Sequence, residues 1–402
     1  MARLLEDREV AERILRHIDA GTTDEGEGVW REPVSHYLSE ERLHAEQRVL
    51  RRLPSPFCPS LALPEVGSFV ARDAAGTPLL AVRGADRRVR VFRNACRHRG
   101  TQVAEGTGCS AAFRCRYHGW TYGLDGSLRQ VPHEHGFPGL DRERHGLVSV
   151  TAEERHGLVW VTQEPGGRGR GPEEEQMAAA GASASPPARQ AAVAEESLDV
   201  VPELLAKDQR LFAAREFLVP ANWKVLMEGF LEGYHIRATH PQSFYPFGFD
   251  NLNLVETFGP HSRVTFPFQR IRKLAALPPE ERRVAGALTY VYQLFPNAVV
   301  VVLSHHTILT VLDPVSTRET RFLSWSLTNR PAEPGKEADG KAAAERDAAF
   351  VNQTGGAEDI AVACSIQKGI ESGANDEFLF GRFEAALAHF HRNLDAALAT
   401  PR

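Results

Sequence analysis

The sequence predicts an α+β protein that combines a small antiparallel β domain with a larger domain in which an antiparallel sheet surrounds a long helix. Residues 51–165 consist of short β-type segments separated by glycine, aspartate and proline, whereas residues 196–402 alternate longer strand and helix patterns. Hydrophobic residues make up 42% of the 402 residues and charged residues 25%, a composition typical of globular proteins. Because a chain of this length exceeds the usual size of one hydrophobic core, we expect two domains.

The N-terminal segment, residues 1–50, is predicted to be helical. Apolar residues recur at helical spacing between positions 4 and 18, and a second helix is expected over residues 38–50. The first residues are charged throughout and lack the apolar region of a signal peptide, and no stretch approaches the roughly 20 apolar residues of a membrane span. We therefore expect a cytoplasmic protein without membrane association.

Charge and cysteine content narrow the possible partners. The formal net charge is −5 and there is no long basic run, which argues against nucleic acid or an anionic membrane as the main partner. The five cysteines are an odd number, and in a reducing compartment they favour metal ligands over disulfides. Cys58, Cys109 and Cys364 have no histidine at ligand spacing, so we expect them to be small buried hydrophobic residues.

The β domain, residues 51–165, contains five predicted strands. They lie between turn-forming residues, over positions 79–84, 89–95, 128–132, 147–154 and 157–163. The Gly/Pro/Ala/Glu-rich residues 166–195 that follow are expected to form a linker or an exposed loop. The domain is therefore expected to end near residue 165.

Two Cys/His pairs lie within this β domain. Cys96 and His98 are separated by one residue, and after sixteen intervening residues come Cys115 and, three positions later, His118. Two thiolates can hold one iron of a 2Fe–2S cluster and two imidazoles the other, the ligation called Rieske. A zinc site uses the same residue types, but zinc fingers favour a cysteine pair followed by a histidine pair. The alternating order therefore favours the cluster.

The larger domain, residues 196–402, is predicted to enclose a pocket. Strands are expected over residues 214–220, 251–259, 261–268, 297–314 and 320–329. His305 and His306 alternate within one of these segments, so at most one of them can face the pocket. Residues 331–347 are expected to be a mobile surface excursion, and residues 345–398 have the pattern of the long helix inside the sheet.

The segment Asn222–His240 contains the residues of a second candidate metal site. A continuous helix would place Glu228, Glu232 and His235 on one face, because they are spaced i, i+4 and i+7. The proline that follows the segment biases His240 out of the helical region, so we expect the helix to end near Thr239 and His240 to lie beside His235. Two neighbouring imidazoles are part of a two-His-one-carboxylate iron site. A buried helix with hydrogen-bonded histidines is the alternative.

The carboxylate of this site has more than one candidate in the sequence. Glu358 and Asp359 open the C-terminal helical pattern, where acidic residues are also favoured by the helix dipole. Asn222 and Tyr234 are candidate polar groups beside the iron, and ordinary structural hydrogen bonding is their alternative role.

Taken together, these motifs resemble the catalytic α subunit of Rieske non-haem iron oxygenases, the aromatic-ring-hydroxylating dioxygenase family. The resemblance covers residues 40–395, and the motifs stand in the order typical of that family. It implies a helix-grip (START-like) catalytic domain and a homotrimer, sometimes with small β subunits. It also implies that the Rieske cluster of one subunit lies beside the mononuclear iron of its neighbour.

The resemblance assigns roles to individual residues. Asp359 would complete the iron site of His235 and His240, with Glu358 as the second choice. Glu232 would be the carboxylate that links the two metal centres through hydrogen bonds to a histidine of each. Many family members have aspartate at that position, so glutamate is a departure in length but not in charge.

The resemblance further implies an oxygenase that uses a Rieske 2Fe–2S cluster and mononuclear Fe(II). Electrons would come from a separate reductase or ferredoxin, with NAD(P)H acting only indirectly, because the sequence has no flavin or nicotinamide fingerprint. With O₂ it would hydroxylate, dihydroxylate or oxidatively demethylate a small organic substrate. A hydrophobic or aromatic substrate fits the candidate pocket residues, which are Leu226, Met227, Phe230, Phe247, Val302, Leu303 and His305.

Three other functions remain open from the sequence. Family members with glutamate at the position of Glu232 include enzymes that oxidise choline, betaine or carnitine, so a quaternary amine is an alternative substrate. A non-enzymatic Rieske electron carrier or redox sensor would use only the cluster, but such a protein would end near residue 165. A binding module stabilised by zinc would contain neither iron centre.

Overall fold

The computed structural model describes residues 3–164, 196–329 and 337–399. The chain divides into two units, one of residues 51–181 and one of residues 1–50 together with residues 182–402. Antiparallel sheets form the framework of each unit, and the larger unit adds helices, which confirms the predicted α+β class. The predicted linker, residues 166–195, lies outside the described residues.

The described part of the N-terminal segment forms helices and one strand. These are α1 (Asp7–Ala20), β1 (Trp30–Pro33), α2 (Ser35–Leu38) and α3 (Glu40–Arg52). The start of α1 is stabilised because the Glu9 carboxylate accepts the backbone N–H of Glu6 at 3.0 Å. The buried face of α1 packs on apolar residues of the same unit, namely Leu254, Ile271, Val284, Ala287 and Leu288. The two helices predicted for the segment are confirmed.

The unit of residues 51–181 carries two sheets among its described residues. Its strands are β2 (Ser55–Pro59), β3 (Ser68–Ala74), β4 (Thr77–Arg83), β5 (Val89–Arg93), β6 (Gly106–Cys109), β7 (Phe113–Arg114), β8 (Thr121–Tyr122), β9 (Leu128–Gln130), β10 (Ser149–Arg155) and β11 (Leu158–Thr162). The sheet orders are β2-β11-β10-β5-β4-β3-β6 and β7-β8-β9. The five predicted strands correspond to β4, β5, β9, β10 and β11. Strand β2 contains proline, β6 contains glycine, and β7 and β8 are only two residues long. These strands therefore lack the alternation of apolar and polar residues from which a strand is predicted.

The larger unit is built on a seven-stranded antiparallel sheet with the order β12-β18-β17-β16-β15-β14-β13. Its strands are β12 (Leu211–Val219), β13 (Leu254–Phe258), β14 (His261–Pro267), β15 (Leu288–Leu294), β16 (Ala298–Val302), β17 (His306–Ser316) and β18 (Glu319–Thr328). The single strand predicted over residues 297–314 is wrong, because the chain turns at residues 303–305 and forms the hairpin of β16 and β17. The sequence did not predict β15.

The remaining described elements of this unit are mainly helices. They are α4 (Trp223–Glu228), α5 (Ile236–Thr239), α6 (Glu337–Gln353), α7 (Gly355–Glu371), the strand β19 (Glu377–Phe380), which pairs with β1, and α8 (Ala385–Leu398). The helical pattern of residues 345–398 is thus divided into three helices. The surface excursion predicted over residues 331–347 is wrong from Glu337 onward, where α6 begins. No helix among the described residues has the length and apolarity required to cross a membrane.

The continuous helix predicted over Asn222–His240 is wrong, because two short helices replace it. Helix α4 ends at Glu228, and α5 begins at Ile236. Between them the Glu232 carboxylate accepts the backbone N–H groups of Tyr234 and, at 3.1 Å, His235. A side chain that satisfies backbone donors in this way competes with helical hydrogen bonding. The predicted end of the helix at Thr239 is confirmed.

Buried charged residues connect α4 and α8 to the N-terminal segment. The Lys224 ammonium lies 2.7 Å from the Glu46 carboxylate, and both side chains are almost fully buried. His391 on α8 is completely buried, with Nε2 3.0 Å from Glu228 and Nδ1 3.4 Å from Glu32. Partners held this closely in a buried site cannot be separated without a large cost. The start of the segment that carries Glu232 and His235 is therefore held firmly.

The charge of His391 makes the stability of this unit depend on pH. Burial by itself lowers the pKa of His391, but the hydrogen bonds and charges of Glu228 and Glu32 outweigh burial and raise it to about 9, from an ordinary value of 6.5. The protonated folded form therefore contributes its full stability below pH 6.5 and loses it as the pH rises to about 9.

We expect the free energy of unfolding to fall by about 3 kcal/mol from this group between pH 6.5 and pH 9. In His391→Gln most of this dependence should disappear, because glutamine carries no titrating proton. The measurement is chemical denaturation across that pH range, with the exposed His44→Gln as the control. A His391→Gln protein that keeps the wild-type dependence would refute the assignment.

Candidate metal centres

Two loops of the smaller unit bring the predicted cluster ligands together. Cys96 and His98 follow β5, and Cys115 and His118 follow β7. Both thiols are buried, whereas His98 is half-buried and His118 is exposed. The two imidazole rings are 4.7 Å apart between centroids. Buried thiols beside a more exposed pair of imidazoles fit a cluster whose cysteine-bound iron lies inside and whose histidine-bound iron lies near the surface.

Aromatic residues fix the rings and loops of this site. The indole of Trp120 stacks on His98 with centroids 5.1 Å apart and an angle of 8°. The hydroxyl of Tyr122 lies 3.2 Å from the Cys96 sulfur and accepts the backbone N–H of Arg97 at 2.9 Å. Burial, together with the charges of His118 and Arg99, lowers the pKa of His98. A neutral imidazole is the form that binds a metal.

The larger unit gathers the three residues predicted for a mononuclear iron. His235, His240 and Asp359 each present a ligand atom, and these atoms all lie within 4.8 Å of one another. Oδ1 of Asp359 is 2.9 Å from Nε2 of His240 and 3.6 Å from Nε2 of His235. Nε2 of His240 is buried and makes no hydrogen bond of acceptable geometry despite this short contact. Its lone pair is therefore available to a cation, and the donor set fits a facial iron site.

Nδ1 of each of the two imidazoles, His235 and His240, is hydrogen-bonded to a carboxylate. Nδ1 of His235 contacts Glu232, and Nδ1 of His240 lies 2.7 Å from Glu358, which also accepts the Ser243 hydroxyl at 2.5 Å. Such contacts fix the tautomer and orientation of metal-binding histidines. The structure therefore places Asp359 at the Nε2 atoms of the two imidazoles, where a metal would bind. It places Glu358, the second choice for the third ligand, at Nδ1 of His240.

The electrostatics of this cluster favour a bound cation. Burial lowers the pKa of His240, but the close negative charges of Asp359 and Glu358 raise it overall. The pKa of His235 is also raised, since Glu232 and Asp359 outweigh the effect of burial. Hydrogen bonds from His240 and Ser243 lower the pKa of Glu358. Three carboxylates around two imidazoles leave excess negative charge that a metal ion would compensate.

Local backbone structure explains how His240 reaches this position. Its φ of −115° and ψ of 43° lie outside the helical region at the end of α5, as expected for a residue before proline. The ring of Phe244 packs on His240 with centroids 4.8 Å apart. A Cβ on Gly355, at the start of α7, would lie 2.0 Å from the Phe244 ring. The glycine therefore permits the close approach of Phe244 to the helix that carries Asp359.

Other predicted site residues lie elsewhere. Asn222 caps α4 by accepting the Lys224 N–H at 3.0 Å, and its amide donates to backbone carbonyls of Tyr37 and Thr317. These hydrogen bonds give Asn222 an ordinary structural role, which was the alternative to a role beside the iron. Tyr234 is 58% exposed and its ring contacts Phe383.

The candidate pocket and cysteine predictions are only partly matched. Leu226 and Met227 are buried, Phe230, Val302 and Leu303 are half-buried, and Phe247 and His305 are exposed. Cys58 is buried as expected, but Cys109 is exposed and Cys364 is half-buried. The expectation of burial is wrong for these two, because Cys109 lies on the edge strand β6, whose residues are all exposed, and Cys364 lies on the partly open helix α7.

Sequence reasoning missed two contributors, Ser243 and Gly355. Ser243 contributes through its hydrogen bond to Glu358, and Gly355 through its close approach to Phe244. Neither belongs to a spacing pattern, because both partners are distant in the sequence. The contact of Asp359 rather than Glu358 with Nε2 of His240 likewise depends on the position of α7 relative to α5.

A Rieske-type ligand set in one unit and a two-His-one-carboxylate set in the other define a class of proteins with two iron centres. The chain belongs to the ring hydroxylating alpha subunit family, whose catalytic domain matches residues 187–400, and a Rieske [2Fe-2S] domain matches residues 54–141. The resemblance found in the sequence and the two cofactors that it implies, a Rieske cluster and a mononuclear iron, are thereby confirmed.

Relatives and solved structures include both mono- and dioxygenases. The carnitine monooxygenase oxygenase subunit of Escherichia coli (strain K12) is 28% identical over 214 residues, which are 53% of this chain and 52% of that protein. The biphenyl 2,3-dioxygenase subunit alpha of Rhodococcus jostii (strain RHA1) is 39% identical over 93 residues, 23% of this chain and 20% of that protein. The chain thus spans about half the length, or less, of these curated relatives.

Two solved structures show the same fold over most of the chain. A quaternary ammonium Rieske monooxygenase in complex with its substrate L-carnitine has a TM-score of 0.68 and 21% identity, and covers 92% of this chain and 95% of its own. Naphthalene 1,2-dioxygenase from Rhodococcus sp. bound to indole has a TM-score of 0.70 and 18% identity, and covers 98% and 99%.

We expect Asp359→Ala to lose the mononuclear iron and to keep the cluster. Iron per chain should fall from about three to about two, while acid-labile sulfide stays at about two. Glu358→Gln should retain iron with an affinity roughly 10- to 100-fold lower, because only the outer contact of His240 is weakened. Iron and sulfide analysis of anaerobically purified protein, with its absorption spectrum, measures this. Greater iron loss in Glu358→Gln than in Asp359→Ala would reverse the assignment.

We expect Gly355→Ala to destabilise the protein by about 1–3 kcal/mol, because the added methyl group would collide with the Phe244 ring. Displacement of that ring from His240 should also weaken iron binding. Gly369→Ala on the same helix is the matched control, since a Cβ there meets no atom within 4 Å. Thermal unfolding and iron titration compare the two variants, and equal behaviour would contradict the steric explanation.

Proposed function

We propose that the chain is the oxygenase component of a Rieske non-haem iron system. It would use O₂, with electrons from a separate reductase or ferredoxin, to hydroxylate, dihydroxylate or oxidatively demethylate a small organic substrate. The observation that carries this proposal is the convergence of ligand atoms from His235, His240 and Asp359 within 4.8 Å. A protein that only carried electrons through the cluster would have no use for this second set.

The residues of the chain have separable tasks in the proposed reaction. The bound cluster supplies single electrons, and the bound iron supplies O₂ activation. His235, His240 and Asp359 would hold the iron, and three protein ligands would leave it accessible to O₂, whereas a structural site would be closed by protein ligands. Glu232 and Glu358 hold the imidazoles in the tautomer that presents Nε2 to the metal. The exposed His118 and Tyr117 leave the imidazole side of the cluster site accessible to another protein.

The resemblance to the family supports a homotrimer as the working assembly. In such an assembly Glu232 would link His235 to a cluster histidine of a neighbouring copy, in addition to its contacts within the chain. The electrons would come from a reductase or ferredoxin, as in the family that the chain resembles.

A hydrophobic or aromatic substrate is the first candidate. The ring of Phe350 contacts the rings of Phe244 and Phe247, and Phe244 also contacts His240. Aromatic rings next to the metal ligands offer apolar surface on which such a molecule can pack.

A quaternary amine is the second candidate, and it is favoured by Glu232 in place of the commoner aspartate. The same phenyl rings can hold a quaternary ammonium group through cation–π interactions. The excess of carboxylates around His235 and His240 also favours a cationic substrate. The similarity to carnitine monooxygenase oxygenase subunits supports this candidate.

The experiment is turnover of the iron-loaded full-length protein with a surrogate reductase, NADH and O₂. We expect either an oxygenated product of L-carnitine or a hydroxylated product of biphenyl, with O₂ consumption matched to product. His235→Ala should abolish product formation and keep the absorption spectrum of the cluster. A His235→Ala protein that remains active would overturn the oxygenase assignment, and the product itself decides between the two candidates.

A further inference from the structure

A buried histidine at the start of strand β17 has a ring nitrogen without a hydrogen-bond partner among the described residues. His306 begins β17 and is completely buried. Its Nδ1 lies 2.9 Å from the Asp347 carboxylate on α6, whereas its Nε2 makes no hydrogen bond within the described protein. A buried polar atom that lacks a partner costs about 1–3 kcal/mol, so such atoms are usually bonded to water or ligand.

The register of the sheet places His306 on the face that is turned toward the metal site. Val264, Val291, Val301 and Ile308 are cross-strand partners in one row, and paired residues project from the same face. Phe266, two residues after Val264, and His306, two residues before Ile308, therefore share that face.

Phe266 contacts the turn that carries the iron ligands. Its ring lies 3.2 Å from the position that a Cβ on Gly233 would occupy, and Gly233 lies between Glu232 and His235. His306 is thus on the same side of the sheet as the segment between α4 and α5.

Aromatic residues connect His306 to the metal ligands along α6. Phe350 lies three residues after Asp347 on this helix, so both side chains are on the same face, about 4.5 Å apart along the axis. Phe350 contacts Phe244, and Phe244 contacts His240. A chain of neighbouring side chains therefore runs from the iron ligand His240 to the helix whose Asp347 holds His306.

The carboxylate of Asp347 determines whether Nε2 of His306 is a hydrogen-bond donor or an acceptor. Burial raises the pKa of Asp347, but the hydrogen bond and charge of His306 outweigh burial and lower it, so the carboxylate is ionised. An ionised carboxylate only accepts hydrogen bonds, so Nδ1 of His306 carries the proton and donates. In the neutral ring Nε2 is then an acceptor, and the nearby negative charge disfavours an anionic group at this position.

We propose that Nε2 of His306 accepts a hydrogen bond from a hydroxyl or N–H group of the substrate, at the end remote from the iron. This inference rests on the proposed oxygenase function and adds a substrate class to it: a molecule with an apolar or quaternary ammonium part at the metal and a hydrogen-bond donor beyond it. A hydrocarbon without a donor leaves Nε2 unsatisfied and binds more weakly.

The test compares two pairs of probes that differ in one donor. The pairs are choline with ethyltrimethylammonium, which lacks the terminal hydroxyl group, and indole with benzothiophene, which has sulfur in place of N–H. Dissociation constants are measured by calorimetry on the iron-loaded full-length protein. We expect the donor-bearing member of at least one pair to bind at least about tenfold more tightly.

The decisive variant is His306→Asn, whose amide can replace Nδ1 toward Asp347 but provides nothing at the position of Nε2. We expect the preference for the donor-bearing probe to fall to about one in this variant and to be unchanged in the exposed neighbour's variant His305→Asn. Should His306→Asn not fold, Asp347→Asn serves instead, because it removes the charge that keeps Nε2 an acceptor, and the preference should again decrease.

Equal binding within both pairs by the wild type, including no binding of any probe at millimolar concentration, would overturn the inference. A preference that survives in His306→Asn would also overturn it. Failure of the oxygenase proposal is recognised separately, by missing mononuclear iron or absent turnover. Binding that depends on His306 in a protein without turnover would retain the donor site and reject the oxygenase.

Discussion

The contacts of Glu232 are the interaction on which the metal site of the larger unit depends. Its carboxylate accepts the backbone N–H groups of Tyr234 and His235 where the chain leaves helical geometry, and it also bonds Nδ1 of His235. In a continuous helix, five residues would rotate His240 by nearly one and a half turns relative to His235. The interruption removes this restriction, so one carboxylate both shapes the backbone and orients the first iron ligand.

The surrounding charges explain why this arrangement is suited to a metal ion. Glu232, Glu358 and Asp359 face two imidazoles, and Nε2 of His240 is buried without a hydrogen bond. Such a cluster is unfavourable when the carboxylates are close together and uncompensated, and a bound cation offsets the repulsion. Metal binding therefore stabilises the folded unit as well as enabling its chemistry.

Family membership and substrate choice have different structural origins. The candidate ligands of the two centres lie on loops, at the ends of the short helix α5 and in the first turns of α7. The two domains that carry them match family models, and the relatives of the chain include a carnitine monooxygenase oxygenase subunit and a biphenyl 2,3-dioxygenase subunit alpha. We propose that substrate selection depends instead on the side chains between the larger sheet and the metal ligands. There, phenyl rings and a buried His306–Asp347 pair combine apolar packing with one directed acceptor.

The sequence by itself determined the class and predicted the candidate ligands, because spacings such as those of Cys96, His98, Cys115 and His118 are local and specific to their chemistry. Strands with clear alternation and the end of α5 before proline were predicted for the same reason. Tertiary structure alone decided that α4 and α5 are separate helices, that Asp359 approaches the Nε2 atoms of both imidazoles while Glu358 contacts Nδ1 of His240, and that His306 is buried. These outcomes depend on contacts between residues distant in the chain, which override local helical and strand preferences.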